Sequence, residues 1–459
     1  MGHLLETILV SAINALRKER EPRPDAGGLP LGRIVADGRV TSRWLTIPRT
    51  LLESHAFIGG VTGAGKTRLL MLLILEAIKR DIGLFPIIPH PDLLPFMLAA
   101  IANEEEKRRV DLSARCPIFT FTDRTWAVGM NVLETADPQD LFVLAAEIAS
   151  AIRVLLDLES VGVRILELSR TTVYSLAATG NTLLEVRPFC TNARCRAEIL
   201  RRIDNDEIKG YFTEHFDRLS AAEQATYSAA LLNKFSELTA DPRIAQVIGQ
   251  KRSAVSLTDA LDGQLWLPFV ADKAVLREQG STVSALFFIR LKNAIFSRRR
   301  GGLSLIILDE AHNLLAHDAG LEIALAEARK FHTGIIAATQ SIEALPAGVR
   351  SALMGTGVQV FFRLSPPDAD RVAGYLDGGK RLAERLKHLP QRHALVRVAS
   401  ERIQEIVVPE VNAPKADGAG LYRRSMQRWG RLRSEVAAEL KKRHDELSRK
   451  TTGSLDSWE

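Results

Sequence analysis

Gly60-Val61-Thr62-Gly63-Ala64-Gly65-Lys66-Thr67 matches G-x-x-x-x-G-K-[ST] in full. The chemistry such a stretch does is phosphate binding. Glycines let successive backbone N–H groups turn inward, and the start of the following helix adds partial positive charge. Lys66 would supply a point charge to the β- and γ-oxygens of a nucleoside triphosphate, and the Thr67 hydroxyl would complete a Mg²⁺ shell. The flanks agree, because apolar Ala56-Phe57-Ile58 precedes the loop and a helical pattern follows it.

A second stretch supplies carboxylates. Leu305-Ile306-Ile307-Leu308 ends in Asp309-Glu310. Aliphatic runs ending in acids are common alone; beside a full phosphate loop, Asp309 would hold Mg²⁺ and Glu310 would accept a proton from the attacking water. A third, Gly334–Ala338, ends in Thr339-Gln340. Gln340 at such a strand tip could reach the γ-phosphate or the lytic water, or could be a surface loop residue; spacing leaves both open. Guanine chemistry is excluded, since Asn233-Lys234 continues with Phe235-Ser236 rather than x-Asp. No L-S-G-G-Q stretch of a transporter ATPase occurs, and Glu310 directly after Asp309 argues against a small-molecule kinase.

The elements that must position these residues follow from periodicity. Strands are expected at His55–Gly60, Gly83–Ile88 and Cys116–Thr122, with a helix over Lys66–Lys79. That βαβ rhythm predicts an α/β fold, a RecA-like parallel sheet with helices on both faces. From residue 137 to 251 helical periodicity takes over, at Leu141–Leu158, Arg164–Leu176, Arg194–Ile203 and Ala221–Leu238, which reads as an inserted all-α domain. Strand signals resume at Leu265–Ala271, Leu303–Leu308, Gly334–Ala338, Gly357–Phe362 and His393–Val398, with a helix over Ser281–Ser297. The expected division is therefore a helix and linker at 1–28, a split nucleotide-binding domain at 29–136 and 252–411, the insertion at 137–251, and a basic tail at 412–459.

Bulk properties bound the partners. Of 459 residues, 46% are hydrophobic and 25% charged, which is ordinary for a globular protein; the formal charge of +6 permits nucleic acid without requiring it. Between Leu421 and Lys450 stand ten Lys or Arg against four Asp or Glu, read as a solvated helix ahead of a nucleic-acid contact. Lys107-Arg108-Arg109 and Arg298-Arg299-Arg300 are read as solvated loop charges ahead of DNA contacts. Three scattered cysteines fit a reducing compartment and no zinc site. The longest apolar runs stop well short of the ~20 residues of a membrane span. The expectation is a cytoplasmic protein with no integral membrane segment.

The ordered set resembles the HerA/FtsK ring ATPases, and within them the HerA-like and conjugative, TraG-like coupling ATPases. The residues that carry the likeness are the phosphate loop, Leu308-Asp309-Glu310-Ala311-His312, and Glu327-Ala328-Arg329-Lys330 leading into Ile335–Gln340. Gly129-Met130-Asn131-Val132-Leu133 and Phe361-Phe362-Arg363 with Asp368–Val372 add to it. The resemblance implies ATP and Mg²⁺ as cofactors and a homo-oligomeric ring, a hexamer, that moves double-stranded DNA through its centre. It further implies Arg329 as an arginine finger, Gln340 as phosphate sensor, and Arg363 as a weaker candidate contact between subunits. A nuclease or other effector is a further candidate partner. An ATP-gated assembly scaffold and a protein-pumping secretion ATPase are the competing readings. Ile88-Pro89-His90-Pro91-Asp92 departs from the family's D-P-H-G-D, and the family's opening barrel or membrane helices have no counterpart before Leu29, so a soluble, trimmed relative is expected.

Overall fold

The computed structural model describes residues 28–135, 138–155, 163–299, 301–315 and 321–452. The helix and linker expected at 1–28 lie outside the described residues, apart from Gly28, as does Arg300. Eleven strands form one sheet in the order β2-β1-β12-β11-β10-β3-β9-β8-β4-β7-β5. They are β1 (Leu29–Ala36), β2 (Arg39–Ile47), β3 (Ala56–Gly59), β4 (Gly83–Ile88), β5 (Phe119–Thr120), β7 (Phe269–Val270), β8 (Ser304–Leu308), β9 (Thr333–Thr339), β10 (Val358–Phe361), β11 (His393–Val398) and β12 (Gln404–Val407). A separate two-stranded pair joins β6 (Trp126–Ala127) to β13 (Arg431–Leu432).

The seven strands from β10 to β5 run parallel. Strands β4, β8 and β9 are buried at every position, as expected of parallel strands covered on both faces. The helix Lys66–Lys79 covers them with Leu69, Leu70, Leu73, Ile74, Ala77 and Ile78, all on one face at helical spacing. On the β5 side, Phe287 of the helix Glu278–Phe296 stacks on Phe269 at 4.2 Å between ring centroids.

The sheet is parallel-dominant, with an antiparallel extension that the βαβ rhythm does not signal. β1, β2 and β12 add to β11 as an antiparallel extension. The β1–β2 turn is Asp37-Gly38, with φ of 51° and 73°. Asp-Gly at positive φ is the favoured two-residue hairpin turn.

Between β6 and β7 the described residues form no strand, only helices, among them Leu141–Leu155, Val163–Ala178, Ala193–Leu200 and Ala221–Thr239. Gly129–Leu133 is the seam at which this segment leaves the sheet and returns. Asn131, 1% exposed, donates Nδ2 to Asn181 O and Lys251 O and accepts Leu133 N on Oδ1, while Ala254 N donates to Gly129 O.

The basic tail is not a free solvated helix. It forms two helices, Gly418–Trp429 and Arg433–Thr452, with Leu421, Met426 and Val436 fully buried. Trp429 Nε1 donates to Ser113 O at 3.1 Å, Arg433 reaches Phe121 O and Gln246, and Arg443 pairs with buried Glu185 at 2.8 Å. Arg298 likewise is buried, paired with Asp262 and donating to the carbonyls of Leu261, Gly302, Phe331 and His332. Lys107 and Arg108 are spent on Glu104 and Asp81. No helix among the described residues is long and apolar enough to cross a membrane.

Candidate nucleotide site

The loop Gly60–Thr67 joins β3 to the helix Lys66–Lys79, and parallel register sets its neighbours. Gly59 pairs with Thr339, and Leu308 pairs with Ala337 on one side and Ile87 on the other. The chain therefore leaves β3, β9 and β8 at one edge, carrying the phosphate loop, Gln340 and Asp309-Glu310 to the carboxyl ends where ligands of such sheets bind.

Backbone bonds hold the loop open. Gly60 N donates to Thr339 O (3.2 Å) and Val61 N to Arg363 O (2.9 Å), while no described residue accepts the N–H of Gly63 or Gly65. Gly65 has φ 131°, and a Cβ there would stand 2.8 Å from Phe362 Cε1 and 3.1 Å from Arg392 Cα, so only glycine fits. Lys66, 6% exposed, turns its Nζ back on Gly60 O at 2.7 Å. Burial lowers its pKa, opposed by the charges of Glu310 and Asp309. Thr67 is exposed at the loop's mouth, beside a cleft of about 390 Å³ whose far wall is Gln391, Arg392 and Glu410. That wall was not legible in the sequence; Arg392 N donates to Ala64 O at 2.8 Å and Gln391 Nε2 to Gly63 O at 3.2 Å.

Asp309 and Glu310 stand side by side. Burial, then the adjacent Glu310, pushes the Asp309 carboxyl up to about 6. Glu310 is buried and has φ 51°, an uncommon backbone for a non-glycine residue, stabilised by its N–H donating to Asp309 Oδ1 at 3.1 Å. Gln340 joins the parts: its Oε1 accepts from Thr62 Oγ1 at 2.6 Å and its Nε2 donates to Glu310 Oε1. One amide thus bridges the phosphate loop and the acidic strand end. Thr62 was expected only as one of the ATP-binding loop residues, and its 278-residue separation from Gln340 left no local signal of the bridge.

These groups fit a Mg²⁺–triphosphate. The unpaired glycine N–H groups and Lys66 suit an anion, and two buried neighbouring carboxylates call for more positive charge than Lys66 alone brings.

Arg329 is not part of this cluster. It sits in the turn Ala328–Phe331 before β9, at the opposite edge of the sheet; its carbonyl accepts from His332 N at 3.2 Å, while its exposed side chain makes no hydrogen bond or ion pair to any described residue. Its neighbour Lys330 takes Glu327. His55, at the start of β3, ties that turn down: Nε2 contacts Leu325 O at 2.8 Å and Nδ1 accepts Ile335 N at 2.9 Å. Arg363 lies at the loop edge in the same chain, where its carbonyl anchors Val61.

The sheet order, the loop and the helical segment define a RecA-like P-loop fold, the fold class expected from the sequence. No family model matches the chain, and no curated protein does. Solved structures do. The bacterial conjugative coupling protein TrwB, in a form with sulphate, matches with a TM-score of 0.60 at 17% identity over 86% of this chain and 98% of that one. The complex of TrwB with ADP and Mg²⁺ gives 0.57 at 16%, with the same coverage. VirB4 of Thermoanaerobacter pseudethanolicus gives 0.58 at 16% over 85% and 98%. At such identities the likeness is one of fold, and it is a likeness to the conjugative coupling type that the motifs resemble.

Proposed function

We propose that this chain is an ATP-hydrolysing motor of the conjugative coupling type, which works as a ring, a hexamer, and moves double-stranded DNA. The observation that carries the reading is the Gln340 bridge, which brings a full phosphate loop and an Asp-Glu pair to one sheet edge. The TrwB complex with ADP and Mg²⁺ supports a nucleotide there.

Lys66 exchanges Gly60 O for phosphate oxygens, and the loop N–H groups cradle the same anion. Thr67 and Asp309 would hold Mg²⁺, which when bound neutralises charge developing on the phosphate oxygens. Glu310 takes a proton from the attacking water, and Gln340, released from Glu310, reads the γ-phosphate. Arg329 has no such task in its own subunit and serves the neighbour's site.

DNA as the track draws on the likeness and on the net charge of +6. The test is steady-state ATPase rate with and without duplex DNA. Lys66→Ala should lose tight ATP binding, whereas Glu310→Gln should bind ATP and scarcely turn over. Duplex should raise the wild-type rate at low salt, with the stimulation fading steeply as salt rises, because phosphate contacts release counterions. A rate indifferent to DNA at every salt would remove DNA as the track and leave a protein or an assembly as what the cycle drives.

A further inference from the structure

His312 is absorbed by none of these roles. Its Nδ1 lies 3.1 Å from Thr339 Oγ1, and that hydroxyl spends its only hydrogen on Ser341 O at 2.9 Å. Thr339 therefore faces His312 as an acceptor, and the proton between them belongs to Nδ1. The imidazole is half-buried and its pKa is lowered, by burial first, against the pull of Glu310. It is neutral near pH 7, with its one N–H on Nδ1. That same atom lies 3.4 Å from Glu310 Oε2.

The two oxygens of Glu310 are unequal. Oε1 accepts from Gln340, whereas Oε2 is buried and accepts no hydrogen bond. A buried carboxylate oxygen without a donor is costly. When Gln340 leaves for the γ-phosphate, Oε1 is unbonded too.

We propose that His312 is a positioning residue for the base. Its Nδ1–H turns from Thr339 Oγ1 to Glu310 Oε2 as the site closes, and this holds the carboxylate with Oε1 facing the attacking water. The inference rests on the reading of Glu310 as the base. No bond is made or broken by His312; it orients the group that takes the proton.

The test compares three variants of the full chain for kcat, KM for ATP, nucleotide binding and melting temperature. His312→Leu removes the donor and should lower kcat about 10–100-fold, the worth of one hydrogen bond to a charged group, with KM and nucleotide affinity within about twofold. His312→Asn places an amide N–H where Nδ1–H stood and should recover most of kcat; His312→Gln, whose amide mimics the other ring nitrogen, should not. Wild-type kcat in a folded Leu variant, or Asn no better than Gln, would overturn the proposal. If the Leu variant does not fold, the Asn–Gln contrast decides. Glu310→Gln run in parallel separates the two layers. Normal turnover there defeats the assignment of the base, whereas an inactive Glu310→Gln beside a fully active His312→Leu defeats only the positioning role.

Discussion

Arg329 is the residue on which the assembly reading can be broken most cleanly. The turn that carries it precedes β9, and Gln340 follows it, so the seven residues Thr333–Thr339 lie between them. At about 3.3 Å per residue that is roughly 23 Å, several times the length of an arginine side chain. Arg329 cannot reach the phosphate loop of its own chain. Its bland alternative is a surface pair with Glu327 or Glu322, worth a few tenths of a kcal/mol, but Lys330 already occupies Glu327. A finger supplied to a neighbour's γ-phosphate is worth about 10³–10⁵ in rate. Arg329→Ala is therefore expected to cut kcat by at least about 10³ while ATP still binds. Mixed in equal amounts with Lys66→Ala chains, each inactive alone, it should regain activity. Half the subunits keep the lysine and half the neighbours keep the finger, so about a quarter of the interfaces are whole in a head-to-tail ring. The assay is steady-state phosphate release on mixtures whose co-assembly is verified by mass. An inactive mixture, or an active Arg329→Ala, refutes the trans assignment.

Three further outcomes follow from the geometry. The folded-state pKa of Asp309, raised to about 6, makes its ionisation a cost to the nucleotide-free protein that is absent below pH 4 and full above pH 6. Asp309→Asn should thus stabilise the protein by about 1.4 kcal/mol more at pH 8 than at pH 5, read from the two melting temperatures, and an equal gain at both would contradict it. Arg298→Ala strands Asp262 and several carbonyls inside the protein and should cost about 3–5 kcal/mol in denaturant unfolding. Arg298→Lys cannot restore the fork of bonds, and full stability in either variant would show the clasp to be dispensable. Removing the chain from Gly418 onward uncovers the seats of Leu421 and Met426, so folded yield should fall; a well-folded truncate with only its DNA stimulation reduced would restore the reading of the tail as an accessory contact.

What was legible in the sequence was local. The strands Gly83–Ile88 and His393–Val398 and the helix Lys66–Lys79 have the bounds expected of them, because each is a stretch whose apolar residues follow the period of its own element. The β1–β2 hairpin escaped despite its Asp-Gly turn, since exposed Arg39, Ser42 and Arg43 give β2 the polarity of a loop. Charge runs misled in the other direction. Arg298 is a buried clasp and the tail arginines hold helices against the core, and net charge by itself cannot separate an internal donor from a solvated one. At the site, residue types and strand tips pointed to Gly60–Thr67, Asp309, Glu310 and Gln340. The bonds among Thr62, Gln340, Glu310 and His312 depend on parallel register across three strands, and no spacing along the chain encodes that.

The two edges of the sheet are joined by the strands that matter most to the proposed cycle. β3 and β9 lie side by side, buried along their length, and each runs from the Arg329 edge to the phosphate edge. At the first edge His55 binds the segment before Arg329 to the starts of both strands. At the second, Gly60 N on Thr339 O locks their ends together, and the next residues are the phosphate loop and Gln340. Close-packed strands of this kind pass a displacement along more readily than they absorb it. In the proposed ring, a neighbour's γ-phosphate drawing on Arg329 would therefore pull on the same two strands that present Gly60 and Gln340. Hydrolysis at one interface and nucleotide binding at the next would then share one mechanical element, as a motor that fires its subunits in turn requires.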